Sequence, residues 1–314
     1  MALRIIFSGT PAFAVPSLEH LIEEHDIEVL GVVTQPDRPR GRGQEMHGSP
    51  VKDAAVAAGI PVYQPEKIKS DEAYDYFRRL VPDAVVIVAY GQIISQRMID
   101  IPRLGWINLH ASLLPNYRGA APINWAIVNG ETSTGVTTMR IDAGLDTGPM
   151  LLKYETKIGR NETAPELTTR LAEAGAPLIV ETLRKLDRGE ISPAPQESSQ
   201  ATFAPILKKD DGRIDWLLSA DNLYNRIRGL QPWPGAFTTF RGKNCQIWGK
   251  PLQRISAGGA PGMMLPTQED GLSVICGSGT TLRVEHLQLE GRNRVTDSGF
   301  MNGARIVPGE RFGA

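Results

Sequence analysis

The run Ala84-Val85-Val86-Ile87-Val88 limits what this chain can fold into more than any other feature, because it is apolar throughout with no polar residue between. Such a strand is covered on both faces, the condition of a parallel sheet sandwiched between helices. It breaks at Tyr90 and Gly91, far short of the roughly 18 apolar residues of a membrane span. Strand-like and helix-like segments alternate around it up to about Arg188. Leu3 to Phe7, Val29 to Val33 and Gly105 to Leu109 read as strands, and Phe13 to Glu24 and Thr163 to Leu186 as amphipathic helices. This alternation predicts an α/β fold with a doubly wound, Rossmann-like, mostly parallel sheet. Ligands of such a sheet lie beyond the carboxyl ends of its strands.

At 314 residues the chain fits two domains. Residues 1–188 are expected to form the first, and residues 189–205 a polar, proline-bearing linker. Beyond it, Ala236 to Phe240, Asn244 to Trp248, Gly262 to Leu265, Leu272 to Cys276 and Thr281 to Leu289 read as short strands between Gly-rich turns. Five such strands in residues 206–314 predict a small OB-like β-barrel. From Ile206 onward fourteen Lys and Arg face ten Asp and Glu, a balance of +4. The rest carries −5, restoring the overall −1. A basic rear half points weakly toward a polyanionic partner, and a solvated surface explains it almost as well. Two cysteines, Cys245 and Cys276, are too few for a disulfide framework. With a strand beginning at Leu3 and no leader-like segment, a soluble protein of the reducing cytoplasm is expected. No metal-ligand spacing occurs, so no metal is expected. A monomer is the default.

Asn108 and His110 stand two apart at the end of a predicted strand, so their side chains share one side. An amide and an imidazole there can bind a developing oxyanion and handle a proton. The segment Asp142-Ala143-Gly144-Leu145-Asp146-Thr147-Gly148 is a tight loop that can place Asp146 against His110 and fix its tautomer. Each segment alone has a plain reading, as a structural histidine or an ordinary turn.

Together the segments say more. Asn108-x-His110-x-Ser112-Leu113-Leu114-Pro115, then Arg118-Gly119-Ala120-Ala121-Pro122, then Asp142-x-Gly144-x-Asp146-Thr147-Gly148 resemble the folate-dependent formyltransferases. The likeness takes in Ile6-Phe7-Ser8-Gly9-Thr10-Pro11, Thr34-Gln35-Pro36-Asp37-Arg38-Pro39, Val88-Ala89-Tyr90-Gly91 and Pro232-Trp233-Pro234-Gly235. It thus runs along nearly the whole chain. The resemblance implies that 10-formyltetrahydrofolate donates a formyl group to the α-amine of an initiator methionyl-tRNA. By the same resemblance Asn108 polarises the formyl oxygen, His110 shares that work and moves the amine proton, and Asp146 orients His110. It also implies a folate site of Ser112, Leu113, Leu114 and Pro115, with the backbone of Val88, Tyr90 and Gly91 and the Asp142 loop holding the pterin.

Arg38, Arg40 and Arg42 lie in a Gly-rich stretch from Gln35 to Pro50 that reads as a solvated loop or as an arm entering the acceptor end of tRNA. Arg40-Gly41-Arg42-Gly43 matches the family's Gly-Arg-Gly core, with Arg42 the strongest candidate. Gln44 and Glu45 depart from the lysines that usually follow. Lys208 and Lys209 are further candidates at the domain junction.

Other classes fit less well. A dinucleotide-dependent dehydrogenase needs Gly-x-Gly-x-x-Gly after the first strand, where Gly9-Thr10-Pro11-Ala12-Phe13-Ala14 holds one glycine. No nucleophile elbow surrounds Ser112. A non-catalytic RNA-binding protein leaves the Asn, His and Asp set without purpose. Within the family the rivals are an enzyme acting on an amino-sugar nucleotide and the glycinamide enzyme of purine synthesis. The second normally lacks a rear domain.

Overall fold

The computed structural model describes residues 2–40, 45–252, 258–267, 271–307 and 309–313. Its strands are β1 (Leu3–Gly9), β2 (Ile27–Val33), β3 (Arg38–Arg40), β4 (Glu45–His47), β5 (Val62–Tyr63), β6 (Ala84–Val88), β7 (Trp106–His110), β8 (Ser133–Arg140), β9 (Met150–Lys157), β10 (Phe237–Phe240), β11 (Lys243–Leu252), β12 (Met264–Thr267), β13 (Gly271–Ile275), β14 (Thr281–Leu289) and β15 (Val295–Thr296). Its α-helices are α1 (Val15–Glu23), α2 (Pro50–Ala57), α3 (Asp71–Leu80), α4 (Gln96–Ile99), α5 (Pro122–Val128), α6 (Ala164–Asp187), α7 (Ala220–Gly229) and α8 (Asp297–Ala304). The chain divides into two compact units. One holds Met1–Pro122, Ser133–Lys157 and Leu167–Pro205; the other holds Ile123–Thr132, Ile158–Glu166 and Ile206–Ala314.

The first unit is built on a seven-stranded sheet of order β5-β2-β1-β6-β7-β8-β9. Its first five strands run parallel, and β8 and β9 add antiparallel at the far edge. The chain winds from β1 to β2 and β5 on one side, then returns to β6 and β7 on the other. This reversal creates the switch point where doubly wound sheets bind ligands. Every residue of β6 is buried, as its unbroken apolar run requires. Val85, Ile87 and Trp106 face one side, packing with Phe77 of α3 and Met98 of α4. Leu109 faces the other, where Gly175 of α6 lies against it. Alternation therefore puts Asn108 and His110 on the Trp106 side, away from α6.

Sequence periodicity missed β8, β9, α2 and α3. β8, Ser-Thr-Gly-Val-Thr-Thr-Met-Arg, is thread-like and polar in sequence yet almost wholly buried, because its threonines pair inside the unit. Thr138 Oγ1 meets Thr182 Oγ1 at 2.8 Å, and Thr137 Oγ1 donates to Ser112 O at 2.7 Å. α2 and α3 begin at serine caps: Ser49 accepts from the Lys52 amide and Ser70 from the Ala73 amide. Residues 189–205, expected as a linker, run back along this unit. Ala194 and Met150 exchange both backbone hydrogen bonds, and residues 202–204 pair with 118–121.

The second unit centres on antiparallel strands in the order β10-β11-β14-β13-β12, with β15 beside β14. Its core joins Ile247, Val274, Leu282, Val284 and Leu287 to Leu223 and Ile227 of α7 and Phe300 of α8. The five expected strands are present within a residue or two, except that β11 extends to Leu252. Among the described residues no ladder joins β10 to β12, the outer strands of the OB-like sheet. Arg228, 5% exposed, donates to Gly159 O and Glu162 O, and the Asn124 amide donates to Gly229 O. These bonds draw α5 and the 158–166 segment into this unit.

Cys245 and Cys276 are 0% and 1% exposed, and burial pushes both thiols up to about 12. A thiol-specific chromogenic disulfide reagent at pH 8 should leave the native chain unmodified and release two equivalents once guanidinium unfolds it. One fast equivalent in the native state would contradict this burial. Among the described residues no helix is long and apolar enough to cross a membrane.

Candidate active site

The carboxyl ends of β1, β2 and β6 are stitched together by polar side chains. The Tyr90 carbonyl accepts from Thr10 Oγ1 at 3.3 Å and from Gln35 Nε2 at 3.1 Å. Gln64 Nε2 in turn donates to Gln35 O at 2.9 Å and to Asp37 Oδ1 at 2.7 Å. Val88 closes β6, after which Ala89 (φ 48°) and Gly91 (φ 86°) turn the backbone sharply. The Tyr90 ring is 2% exposed within the apolar cluster around Trp106, and burial holds its phenol well above the usual range. That residue offers the site its backbone, since its side chain belongs to the core.

Beside this edge, β7 carries Asn108 and ends at His110. Asn108 is half-buried, and its carboxamide has no hydrogen-bond partner among the described residues. His110 is 6% exposed, with Nε2 at 2.9 Å from the Tyr117 carbonyl. A carbonyl only accepts, so Nε2 carries a proton and donates it there. Nδ1 faces Asp146 Oδ2 at 3.7 Å, an ion-pair distance too long for a direct hydrogen bond. The tautomer is thus set by the Tyr117 backbone, where Asp146 was expected to set it.

Asp146 sits in a left-handed conformation (φ 52°) in the β8–β9 loop. Its Oδ2 accepts from the Gly119 amide at 2.8 Å, and its own carbonyl accepts from Gln196 Nε2 at 2.8 Å. Asp142 shapes the same loop: Oδ1 accepts from the Gly144 amide at 3.0 Å and from Thr147 Oγ1 at 2.7 Å. One of its two carboxylate oxygens is thus engaged in the turn.

Ser112 to Pro115 follow β7 as a largely buried segment. Ser112 Oγ donates to Asn116 O at 2.6 Å, so its hydroxyl is not aimed at His110. Leu114 is fully buried, Leu113 and Pro115 are half-buried, and the Leu114–Pro115 peptide is cis. Lys153 Nζ of β9 donates to Leu114 O at 2.5 Å. Burial lowers this ammonium's proton affinity. Lys153, Thr137, Arg118, Gly119 and Gln196 support the site through hydrogen bonds that no local motif revealed. Arg118 and Gly119 did lie in a motif, without an assigned role.

The predicted RNA-contact residues fall elsewhere. Arg38 and Arg40 form β3, whose ladder with β4 pairs Arg38 with His47 and Arg40 with Glu45. The Arg38 guanidinium is well exposed, 4.0 Å from Glu66. Arg42 lies outside the described residues, as does Gln44. Lys208 and Lys209 are exposed at the start of the second unit. The one metal-like group among the described residues is Glu24, His25 and Asp26, whose two carboxylates are already held by Arg184.

Comparison with known proteins gives this arrangement its family. The formyl transferase model matches residues 1–183, and the formyl transferase C-terminal domain model matches residues 206–305. The methionyl-tRNA formyltransferase of Solibacter usitatus is 55% identical over 311 residues, spanning 99% of each chain. Among solved structures, the sugar 3N-formyl transferase WlaRD superposes with a TM-score of 0.68 at 19% identity, over 93% of this chain and 100% of that one. The methionyl-tRNA formyltransferase from Clostridium thermocellum gives 0.57 at 16% identity, over 80% and 94%. At those identities the two structures speak to the fold, whereas full-length identity above one half speaks to descent. The chain belongs to the methionyl-tRNA formyltransferase family.

Proposed function

We propose that this chain transfers the formyl group of 10-formyltetrahydrofolate to the α-amine of initiator methionyl-tRNA, in the cytoplasm and as a monomer. The carrying observation is full-length likeness to methionyl-tRNA formyltransferases at 55% identity, joined to Asn108, His110 and Asp146 at the carboxyl edge of the sheet. A reduced-folate donor fits the residues present. The Asn108 amide lacks a partner among the described residues, the Val88–Gly91 backbone offers peptide groups in a sharp turn, and Leu113, Leu114 and Pro115 supply an apolar wall. WlaRD, which shares the fold, was crystallised with 5-N-formyl-THF. When bound, such a donor supplies a formyl carbon activated by its attachment to a weakly basic nitrogen.

The remaining work belongs to the chain. The Asn108 N–H groups donate to the formyl oxygen as negative charge builds on it. The α-amine of the methionyl ester attacks the formyl carbon; the new N–C bond forms and the bond to the folate nitrogen breaks. The amine gives up one proton and the folate nitrogen gains one. Because Nε2 of His110 is committed to Tyr117, the proton moves along the Nδ1 edge shared with Asp146. All three residues lie in one unit of one chain, which supports the monomeric reading. Arg38, Arg40 and Arg42, with Lys208 and Lys209 of the 206–314 domain, would take the tRNA backbone.

The test compares formyl transfer to initiator methionyl-tRNA, elongator methionyl-tRNA and an amino-sugar nucleotide with the same donor. Strong transfer to the initiator alone is expected. Preferential transfer to the sugar, or folate binding with no transfer, would overturn the assignment of acceptor.

A further inference from the structure

We infer that Gln196 is a positioning residue for Asp146. The segment 194–204, linker-like in sequence, is then a strap that sets the geometry of the 142–148 loop. This rests on the reading of Asp146 as part of the reacting centre.

Gln196 uses its whole carboxamide. Nε2 donates to Asp146 O at 2.8 Å and to Gly148 O at 2.7 Å, while Oε1 accepts from Arg118 Nε at 3.0 Å and from the second guanidinium nitrogen at 2.8 Å. Two donors and both lone pairs are thereby engaged, the most a primary amide can do. Arg118 is 4% exposed and Gln196 half-buried, so an unmatched guanidinium there would be poorly compensated.

The strap is fastened on both sides of that hub. Before it, Ala194 and Met150 exchange backbone hydrogen bonds at 2.8 Å each. After it, the Tyr117 amide donates to Thr202 Oγ1 at 2.9 Å, the Arg118 amide to Thr202 O at 2.9 Å, and the Ala204 amide to Arg118 O at 2.8 Å. The segment it fastens holds both groups that fix the catalytic pair. Tyr117 O accepts the hydrogen bond from His110 Nε2–H, and the Gly119 amide holds the Asp146 carboxylate. Asp146 keeps a left-handed backbone next to the carbonyl that Gln196 grips. Left-handed single residues are sustained by their surroundings, and Gln196 is that surrounding here.

The chemistry separates two variants. Gln196→Ala removes every bond of the hub. Gln196→Glu keeps an acceptor for Arg118 but presents a carboxylate to two carbonyl oxygens, so it loses only the grip on the loop. Both should lower kcat by about 10–100-fold, the loss that a displacement near 1 Å brings. KM for methionyl-tRNA should stay within about threefold, since none of the Arg and Lys residues assigned to it bonds Gln196, while KM for the folate donor should rise with the displaced loop. The pH profile of kcat should change shape in both variants, because the backbone that carries the carboxylate facing His110 is no longer gripped at the Asp146 carbonyl. Hydrogen exchange should quicken at the backbone amides of residues 142–148.

A residue that served only folding would lower thermal stability and leave kcat per folded molecule, its pH profile and local exchange unchanged. That result would overturn the inference, as would unchanged exchange in the loop. Should Gln196→Ala fail to fold, Gln196→Glu decides, since Arg118 retains its partner. Wild-type protein run alongside separates the two readings. An inactive wild type overturns the proposed function and this inference with it; an active wild type with unaffected variants overturns this inference alone.

Discussion

Replacing Asn108 by Ala is expected to cut kcat by about 10²–10³-fold while leaving tRNA affinity and thermal stability close to wild type. The magnitude is that of one lost oxyanion donor in a preorganised site. The selectivity follows from the position. Asn108 sits on β7 with its backbone in the sheet, but its carboxamide has no partner among the described residues, so the resting fold loses no side-chain hydrogen bond. An unpartnered, half-buried amide is costly to keep unless a substrate atom completes it. Asn108→Asp should lose at least as much, because it sets negative charge where negative charge must develop. Single-turnover transfer at saturating donor, with filter binding of methionyl-tRNA, separates the effects. A loss carried by KM, or a kcat within tenfold of wild type, would mean that Asn108 only binds.

How much of this was legible from residues alone depended on where each interaction partner lies in sequence. Ala84 to Val88 announced a doubly covered strand, and that strand fixed the α/β class. Asn108 and His110 were readable because strand alternation is local: two residues apart means one side. Asp146 was readable only through its motif, since the contact to His110 spans 36 positions and no periodicity reaches that far. Gln196 was hidden by its setting. It stands in Pro-Ala-Pro-Gln-Glu-Ser-Ser-Gln, a composition that reads as spacer, and the three groups it bonds are 48 to 78 residues away. Tyr117 and Gly119 were hidden in another way, because they act through the backbone. A carbonyl and an amide carry no signature in the residue type. β8 escaped for a third reason, since its buried Thr137 and Thr138 are satisfied by Ser112 O and Thr182 Oγ1, partners distant in sequence, and so mimic an exposed polar stretch.

The backbone role of Gly119 makes Gly119→Ala a severe substitution in this unit. Gly119 has φ 121°, a conformation open essentially to glycine, and a Cβ added there would lie 2.6 Å from Ala204 O. Ala204 cannot step aside cheaply. It is fully buried, its amide is bonded to Arg118 O, and its carbonyl takes the Ala121 amide. Gly119→Ala should therefore cost about 2–4 kcal/mol in the first unit, combining backbone strain with a steric clash. The same shift pulls the Gly119 amide from Asp146 Oδ2 and disturbs the neighbouring Tyr117 carbonyl on His110. Activity should fall about tenfold or more even at temperatures where the variant is fully folded. Gly189 supplies the control. Its φ is also positive (69°), but nothing lies within 4 Å of an added Cβ, so Gly189→Ala should cost only about 1 kcal/mol and leave kcat unchanged. Thermal unfolding and kcat, measured on both variants below their transitions, distinguish the cases. If Gly119→Ala behaved like Gly189→Ala, residues 202–204 would be free to move, and the catalytic loop would owe its shape to something other than the strap.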